Sequence, residues 1–301
     1  MYKQRQKPPE LALLKSLNSR MELSEERKRK YTNQIKGWEG ERKFDTLLGK
    51  FTEDYVILND LLLQSNQTTF QVDTILIEGE ALHLYEIKNY EGDFYYEKDR
   101  FYKRYNKMEM NNPITQLKRT ESSFRQLIHQ LGYSIPIIPH VVFVNPEFTL
   151  HQAPLYLPCL YPTPLNRYIK SLEKNITKVK KQHIDLAEKL IALHMDESPY
   201  RRLPSYNFDE LKKGILCDKC NSLTVSTERS IIKCDACGYT ESLEEAVLRS
   251  VEEFRLLFPE RKITTKEMYE WCLISGEMRR IKRILDKQYT LIGVHQWAYY
   301  E

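Results

Sequence analysis

Residues 71–88, QVDTILIEGEALHLYEIK, contain two runs of alternating β-branched and aliphatic residues on either side of Gly79. This alternation predicts two antiparallel strands, and Gly79 followed by Glu80 suits a two-residue hairpin turn. A turn centred at these two residues brings Asp73 opposite Glu86. The stretch therefore predicts a β-hairpin that places two acids face to face.

The charged residues of this predicted hairpin share a face with aliphatic residues. That face also carries Ile75, Ile77, Leu82 and Leu84. Directly opposed acids such as Asp73 and Glu86 lie about 5 Å apart at Cβ, which is destabilising unless a cation lies between them. Lys88 projects from the same face of the strand as Glu86. Because buried acids need a partner or a metal, the pattern predicts a divalent-metal site. The alternative is a solvated hairpin face, on which acids and lysines are common.

Two flanking segments add polar residues to this picture. Residues 35–51 carry apolar side chains at helical spacing, namely Ile35, Trp38, Leu48 and Phe51. Glu41 falls inside this stripe, where a core residue is expected. Downstream, Asn112 suits an N-cap before Pro113, and Gln116 in the first turn can reach a neighbouring site. Taken singly, Glu41 can instead be a salt-bridged helix residue and Gln116 an ordinary surface residue.

Five motifs occur in a fixed order along residues 34–144. They are G-W-E-G-E at 37–41, Q-V-D at 71–73, Y-E-I-K-N at 85–89, a glycine at Gly92 and N-P-x-x-Q at 112–116. In this order they resemble the nuclease-related domain, NERD, of the PD-(D/E)xK nuclease superfamily. The resemblance implies an α/β fold in which helices flank a mixed sheet. The functional positions that it implies, none of them substituted here, are Glu41, Asp73, Glu86, Lys88 and Gln116.

The resemblance also implies a chemistry, the hydrolysis of phosphodiester bonds in nucleic acid, with DNA favoured over RNA. By similarity to the superfamily, Asp73, Glu86 and Glu41 hold one or two Mg²⁺ or Mn²⁺ ions, which oxygen ligands prefer. A main-chain carbonyl near Ile87 completes the metal shell. Lys88 orients the attacking water or helps to deprotonate it, and the side chain of Gln116 positions water or backbone.

Composition limits the class of protein. A chain of 301 residues favours two or three modules, and a net charge of +4 permits nucleic acid as a partner without demanding it. Basic runs occur at residues 27–30, 103–107 and 178–181, and the second, KRYNK, is interleaved with aromatic residues. Basic residues among tyrosines suit phosphate contact and base stacking. A solvated charged surface is the alternative for each run.

Four cysteines form the second strong motif. They are Cys217, Cys220, Cys234 and Cys237, two C-x2-C pairs separated by thirteen residues. Two such pairs with strand-like segments between them predict a zinc ribbon, in which four thiolates close a structural site without an open position. A redox C-x2-C is the competing interpretation. Cys159 and Cys272 belong to no motif and are expected to be core thiols.

The C-terminal residues predict a small helical module. A helix, a Ser275–Gly276 turn and a second helix with four basic residues precede an aromatic tail; the basic residues are Arg279, Arg280, Lys282 and Arg283. This order suits a helix-turn-helix or a small winged helix. An αα-hairpin that docks on a neighbouring element would give the same pattern.

These patterns predict four segments. Residues 198–214 are the best candidate for a linker before the cysteine motif. The segments are an N-terminal helical extension at 1–33, a nuclease-like domain with a helical extension at 34–204, a zinc ribbon at 212–241 and a helical module at 242–301. No stretch is apolar enough to span a bilayer, and the N-terminus lacks the apolar core of a signal peptide. We therefore expect a cytoplasmic protein.

The sequence thus predicts a magnesium-dependent nuclease with a C-terminal zinc module that targets it. One alternative is a non-catalytic protein that uses the nuclease-like fold and the zinc ribbon only to bind nucleic acid. The other alternative is an interaction protein whose basic runs meet acidic partners. The oligomeric state is not predicted.

Overall fold

A computed structural model describes residues 3–49, 55–175, 177–195, 204–274 and 278–301 of the chain. Its contacts divide the chain into two units. Unit 1 contains residues 1–6 and 33–201, and unit 2 contains residues 7–32 and 202–301. Both units are therefore discontinuous in sequence. The four predicted segments are finer than this division and stay a prediction.

The structure contains eight α-helices in the described residues, and the first residues of α3 carry the start signal that the sequence predicted. In chain order the helices are α1 (Pro9–Arg20), α2 (Glu25–Leu48), α3 (Pro113–Gln130), α4 (Pro162–Asn175), α5 (Lys181–Ala192), α6 (Leu243–Leu257), α7 (Thr265–Cys272) and α8 (Met278–Gln288). The side chain of Asn112 accepts a hydrogen bond from the main-chain N–H of Ile114, and Pro113 opens α3. The predicted N-cap is therefore confirmed, and it fixes where Gln116 lies on the helix.

The strands of unit 1 precede those of unit 2. In chain order the strands are β1 (Val56–Ser65), β2 (Thr68–Ile77), β3 (Leu82–Lys88), β4 (Gly92–Glu97), β5 (Arg100–Lys103), β6 (Glu109–Met110), β7 (Ile137–Phe143), β8 (Phe148–His151), β9 (Cys159–Leu160), β10 (Val225–Glu228), β11 (Ile231–Cys234), β12 (Thr240–Ser242), β13 (Leu291–Ile292) and β14 (Tyr299–Tyr300).

Within the described residues, the larger sheet of unit 1 has five strands in the order β1-β2-β3-β7-β9. The first three are antiparallel, whereas β7 and β9 join in parallel. Apolar residues of α3 and α5 cover one face, and those of α2 and α4 cover the other. Because a sheet must bury both apolar faces, helices on both sides are the stable solution. The predicted α/β fold with a flanked mixed sheet is confirmed.

The central hairpin, β2 and β3, has the predicted register. Its ladder pairs are Ile77 with Leu82, Leu76 with His83, Ile75 with Leu84 and Thr74 with Tyr85. The next opposed pair is Asp73 and Glu86. Ile75 and Ile77 of β2 and Leu82 and Leu84 of β3 belong to the core that includes residues of α3. Phe70 and Val72 of β2 belong to the same core, so the alternation of β2 changes face near Asp73.

A smaller four-stranded sheet in unit 1 has the order β6-β5-β4-β8, with β8 parallel to β4. The β4–β5 hairpin turns at Lys98 and Asp99, which both have positive φ, of 49° and 61°. This backbone conformation suits a two-residue turn between twisted strands. Phe94 and Phe101 point into the core that the sheet shares with α3, and the opposite face is turned to solvent. Residues 92–103 thus form a further β-hairpin of unit 1.

Unit 2 combines the three-stranded sheet β10-β11-β12 with α1, α6, α7 and α8 around one apolar core. Leu13 and Leu17 are the contribution of α1 to that core. The buried guanidinium of Arg20 donates hydrogen bonds to both oxygens of Glu253 and lies 3.9 Å from the ring centre of Trp271. An internal ion pair and an aromatic face thus fix α1 within unit 2.

Several predicted features fall outside the described residues. They are the core position Phe51, the Ser275–Gly276 turn and the part of the predicted linker before residue 204. Ile35 and Trp38 of the predicted stripe are half-buried, whereas Leu48 is buried. Among the helices that the structure describes, none combines the length and the apolar character needed to cross a bilayer.

Candidate active site

Lys88, at the end of β3, connects the polar residues of the predicted site. Its Nζ donates hydrogen bonds to Oε1 of Glu86 at 2.7 Å and to Oε1 of Gln116 at 3.1 Å. The Glu86 side chain is only 2% exposed and that of Lys88 is 17% exposed. The first turn of α3 therefore brings its amide onto the lysine that shares a strand face with Glu86.

Asp73 reaches the same place from the neighbouring strand. Its Oδ2 accepts a hydrogen bond of 2.8 Å from the main-chain N–H of Ile87, the residue between Glu86 and Lys88. This contact fixes the Asp73 carboxylate against β3 beyond the last ladder pair. Of the five predicted site residues, Glu86 and Lys88 belong to β3. Asp73 and Gln116 are joined to β3 by direct hydrogen bonds.

The fifth predicted residue, Glu41 on α2, contacts a buried arginine that comes from the N-terminal segment. Nη1 of Arg5 donates to Oε2 of Glu41 at 2.8 Å, and Nε donates to Oδ2 of Asp45 at 3.1 Å. Nη2 of Arg5 donates to the main-chain oxygen of Asp73 at 2.7 Å and to Oγ1 of Thr74 at 2.9 Å. Arg5 therefore ties α2 to the strand that carries Asp73.

The two glycines of the G-W-E-G-E motif have different surroundings. A Cβ at Gly40 would lie 2.6 Å from Cβ of Asn89, closer than side-chain atoms approach. A Cβ at Gly37 would meet nothing within 4 Å. Gly40 is thus the residue that lets α2 approach the end of β3 and place Glu41 beside it. Gly92 has a φ of 94°, which favours glycine at the start of β4.

The acids of the site repel one another. Burial, together with the charge of Asp73, raises the pKa of Glu86 to about 7, although Lys88 opposes the shift. Burial and the charge of Asp73 also raise the pKa of Glu41 to about 8, against the effect of Arg5. Burial raises the pKa of Asp73, while Lys88 and the Ile87 N–H lower it. Burial is thus the largest cause of the raised pKa of all three acids, and the local cations only partly oppose it.

Lys88 keeps its charge in these surroundings. Burial alone lowers the pKa of Lys88, but the charges of Glu86 and Asp73 outweigh burial, and the pKa rises above its ordinary value. The group is therefore an ammonium ion at neutral pH. A charged lysine beside two acids stabilises negative charge rather than accepting a proton.

The three carboxylates of Glu41, Asp73 and Glu86 are not gathered into one tight group. Over the part of the chain that the structure describes, the only set of three or more ligating side chains with donor atoms within 4.8 Å of one another is the four-cysteine cluster. The acids therefore lie close enough to influence each other's pKa but are spread over α2, β2 and β3.

Sequence reasoning identified Glu41 but missed Arg5 and its other side-chain partners, Asp45 and Thr74. Asp45 was not singled out, and neither was Asn59, whose Oδ1 accepts a hydrogen bond of 2.9 Å from Oγ1 of Thr74. Asp45 lies one helical turn after Glu41 on α2, so helical spacing could have indicated a shared partner. No local signal distinguishes Arg5 from the exposed basic residues around it.

The cysteine cluster lies in unit 2. The Sγ atoms of Cys217 and Cys237 are 3.7 Å apart, and those of Cys220 and Cys234 are 3.5 Å apart. Four sulfurs around a tetrahedral zinc at 2.3 Å are about 3.8 Å from each other, whereas a disulfide requires about 2 Å. The cluster is therefore compatible with a zinc ion bound by four thiolates.

The two C-x2-C turns have the same backbone geometry. The N–H of Asn221 donates to the oxygen of Cys217, and the N–H of Gly238 donates to the oxygen of Cys234, at 2.8 and 2.9 Å. Asn221 and Gly238 both have positive φ, of 58° and 73°. Each turn thus reverses the chain directly after its second cysteine and aims both thiols at one point. Strands β10 and β11, which the sequence predicted, connect the turns.

Comparison with known proteins adds one family. Residues 36–144 match the family model described as NERD, nuclease-related domain. No curated protein matches the chain. The matched range contains all five predicted site residues, and the match implies a nuclease-related function for it. Over residues 36–144, this chain therefore matches the nuclease-related domain family, as the order of its sequence motifs predicted.

Proposed function

We propose that the protein is a metal-dependent nuclease that hydrolyses phosphodiester bonds, with DNA as the favoured substrate and Mg²⁺ or Mn²⁺ as cofactor. One observation carries this proposal. Lys88 is hydrogen-bonded to Glu86 and Gln116, and Asp73 is hydrogen-bonded to the main chain of Ile87 between them, inside the residues that match a nuclease-related family. Acids can hold a catalytic metal ion, and a lysine can stabilise the negative charge that develops during phosphodiester hydrolysis.

The donor set fits a hard divalent cation. Asp73, Glu86 and the main-chain oxygen of Ile87 offer oxygen ligands, which select Mg²⁺ or Mn²⁺ over zinc. Burial and the charge of Asp73 raise the pKa of Glu86 to about 7 in spite of Lys88, so a further cation near these acids would favour their ionised form. When bound, such an ion polarises the scissile phosphate and activates a water molecule. Glu41 is a further candidate ligand from α2.

The protein's own residues orient the reacting groups. The ammonium group of Lys88 is placed to stabilise negative charge that develops on the phosphate in the transition state. Gln116 holds Lys88 through its Oε1 atom at 3.1 Å. Arg5 holds Glu41 and the backbone of Asp73 in fixed relation, so the acids keep their geometry when substrate binds.

We assign the four-cysteine cluster of unit 2 to a structural zinc. All four ligand positions are sulfur, so the ion has no position left for water or substrate. A targeting role for the module is part of this proposal, and it rests on the exposed basic residues of α8. Arg279, Lys282 and Arg283 are turned to solvent and suit phosphate contact.

A second candidate is a protein that binds nucleic acid without cleaving it. One observation favours it: among the described residues, the carboxylates of Glu41, Asp73 and Glu86 do not form a group of three with ligand atoms within 4.8 Å of one another. In that case the acids would serve only to position Lys88 and Arg5. The two candidates differ in turnover and not in affinity.

The test uses the full-length protein with labelled single- and double-stranded DNA and RNA, in Mg²⁺, in Mn²⁺ and in EDTA. We expect cleavage of DNA that EDTA abolishes. Glu86→Gln removes one ligand charge and should lower the cleavage rate at least about 100-fold, since even outer partners of metal ligands are worth 10- to 100-fold. The matched control is Glu173→Gln, an exposed acid on α4, which should cleave as the wild type does.

The outcomes separate the candidates. An undiminished rate in Glu86→Gln contradicts the assigned site. Binding of nucleic acid without cleavage in either metal supports the non-catalytic alternative. If RNA is cleaved and DNA is not, the site assignment stands and the substrate assignment is wrong.

A further inference from the structure

The outer face of the smaller sheet in unit 1 carries polar and aromatic side chains. Along β4 and β5, residues that point to the core alternate with residues that point to solvent, as expected for a sheet covered on one side. The outward set, which we call the tyrosine face, is Asp93, Tyr95, Glu97, Arg100, Tyr102 and His151. The face therefore consists of aromatic rings with charged residues around them.

Two tyrosines form the centre of this face. Tyr95 and Tyr102 are a cross-strand pair, and their rings stack with centroids 5.0 Å apart and planes 15° from parallel. Both side chains are half-exposed. A stacked pair of half-exposed rings presents a flat π-surface to solvent, on which a nucleobase can lie.

A cavity of about 700 Å³ opens beside the pair. Its lining consists of Tyr95, Glu97, Arg104, Lys107, His151 and Gln152. This volume lies within the range of small-ligand sites, and the lining is more polar than apolar. Glu97 and Gln152 carry acceptors and donors that match base edges, and Arg104 and Lys107 carry charges that match phosphates. The lining thus combines the three contacts that a nucleotide makes: stacking, edge hydrogen bonds and phosphate pairing.

Positive charge is concentrated in the same strand and loop. Residues 98–107, KDRFYKRYNK, contain five basic residues and one acid, so this segment alone carries as much net charge as the whole chain, +4. The single acid, Asp99, accepts a hydrogen bond from the Tyr96 hydroxyl. Lys103 lies 5.9 Å from the ring centre of Tyr105, which is 80% exposed. A polyanion with exposed bases is the partner that this charge and these rings fit.

The tyrosine face is connected to the candidate active site by short contacts within unit 1. The side chain of Asn112 donates a hydrogen bond of 2.8 Å to the main-chain oxygen of Asp99 in the β4–β5 turn. The same residue caps α3, whose Gln116 contacts Lys88. The turn of the hairpin and the first turn of α3 are thus fixed to each other by one side chain.

We propose that the tyrosine face and its cavity bind single-stranded DNA, with a base stacked on Tyr95 and the following phosphates on Arg104 and Lys107. This inference rests on the nuclease proposal for the choice of DNA, and it narrows the substrate to single-stranded segments. Bases of a duplex are stacked on one another and cannot stack on a side chain. A duplex can offer Arg104 and Lys107 only its phosphates.

The test measures binding separately from cleavage. Full-length protein in EDTA is titrated into a labelled single-stranded DNA oligonucleotide, its duplex and the RNA of the same sequence, with fluorescence anisotropy as the readout. We expect single-stranded DNA to bind most tightly. Tyr95→Ala and Tyr102→Ala should each raise its Kd about 5- to 160-fold, since stacking on an aromatic side chain is worth about 1–3 kcal/mol per base.

Matched variants separate stacking from charge. Tyr95→Phe keeps the ring and should bind as the wild type does, and Tyr156→Ala removes an exposed tyrosine outside the smaller sheet and should do the same. Arg104→Gln should reduce the slope of log affinity against log salt by about 0.7, the value for one phosphate contact on a single strand.

A second measurement uses only wild-type protein, so that it is independent of the folding of any variant. Single-stranded DNA with photoreactive bromouracil is cross-linked to the protein, and the adducts are located by mass spectrometry. Adducts on Tyr95 or Tyr102 support the proposal. Adducts confined to other residues overturn it, as do equal affinities of wild type and Tyr95→Ala, or tighter binding of the duplex or of RNA.

The two proposals fail in different ways. Binding of single-stranded DNA through Tyr95 without cleavage in Mg²⁺ or Mn²⁺ leaves the tyrosine face as a binding site and ends the nuclease proposal. Metal-dependent cleavage together with unchanged binding in Tyr95→Ala leaves the nuclease proposal and ends this inference.

Discussion

Arg5 and Glu41 are thirty-six residues apart in sequence, and Nη1 of the arginine lies 2.8 Å from Oε2 of the glutamate. The Arg5 side chain is fully buried. The second acid that pairs with it, Asp45, is also almost fully buried. Two residues before Arg5, Lys3 forms a parallel β-bridge with Leu58 of β1. This bridge fixes the backbone next to Arg5. The N-terminal segment is therefore part of unit 1 although it lies outside the residues that match the family model.

Loss of Arg5 should destabilise unit 1. Arg5→Gln leaves Glu41 and Asp45 without their buried cation, and removal of one partner from such a pair costs about 3–5 kcal/mol. We expect urea unfolding to shift to lower denaturant by a corresponding amount. Gln4→Ala, at the exposed neighbouring position, is the control and should unfold like the wild type. If Arg5→Gln is as stable as this control, the ion pair does not stabilise the fold.

The two glycines of α2 give an internal comparison. Gly40→Ala forces a Cβ to within 2.6 Å of Asn89, so α2 must move away from the end of β3. We expect a lower melting temperature and lost cleavage, since Glu41 moves with the helix. Gly37→Ala meets no neighbour and should raise stability by about 0.5–1 kcal/mol through helix propensity. Equal effects of the two substitutions would contradict the close approach at Gly40.

Protein purified without added metal should contain one zinc per chain. Elemental analysis measures it, and Cys217→Ser should lose it, since three thiolates bind zinc far less tightly than four. Chelation should also lower the unfolding temperature of unit 2, because Ile232 of the ribbon belongs to its core. The control is Cys159→Ser, a thiol of unit 1 outside the cluster, which should retain the zinc. Zinc-free wild-type protein would rule out the metal site.

His140, on the face of the larger sheet that α4 covers, should make the stability of unit 1 sensitive to acid. Burial and the neighbouring His83 lower the pKa of His140 to about 4, and its ring also faces Tyr85 and Tyr168. The unfolded chain takes up this proton near pH 6.5 and the folded chain near pH 4, so stability falls as the pH falls between these values. Below pH 4, the lowered pKa of His140 reduces the free energy of unfolding by about 3 kcal/mol relative to neutral pH.

Urea unfolding at a series of pH values checks this sign. His140→Gln keeps a polar side chain near the Tyr168 hydroxyl but cannot titrate, so its stability should depend less on pH between about 6.5 and 4. The wild type and the variant should differ least where the unfolded histidine is neutral. Parallel curves for the two proteins would show that His140 is not the titrating group.

Local signals in the sequence account for much of the site. The alternation around Gly79 predicted the register that sets Asp73 opposite Glu86, because a two-residue turn leaves no freedom in strand pairing. Asn112 before Pro113 predicted the start of α3 and hence the position of Gln116. The spacing of the four cysteines predicted the ribbon, since each C-x2-C turn is a local structure that positions its own two thiols.

Contacts between distant segments could not be predicted in the same way. Arg5 stands among other basic and polar residues, and its burial depends on acids of α2 that only the tertiary fold brings near it. The parallel pairing of β4 with β8 is likewise non-local, because α3 and β7 lie between them in the chain. Leu13 of α1 carries no sign that its partners lie beyond residue 202.

The membership of α1 in unit 2 has a consequence for the order in which the protein is synthesised. Leu13 and Leu17 leave the ribosome before residues 33–201, yet the core that buries them includes Trp271 and Leu285. Unit 1 has all of its residues, including Arg5, once residue 201 has emerged. We therefore expect unit 1 to fold during translation, before the partners of α1 have been synthesised. Until the last helices are made, the apolar face of α1 stays exposed and nascent-chain chaperones can bind it.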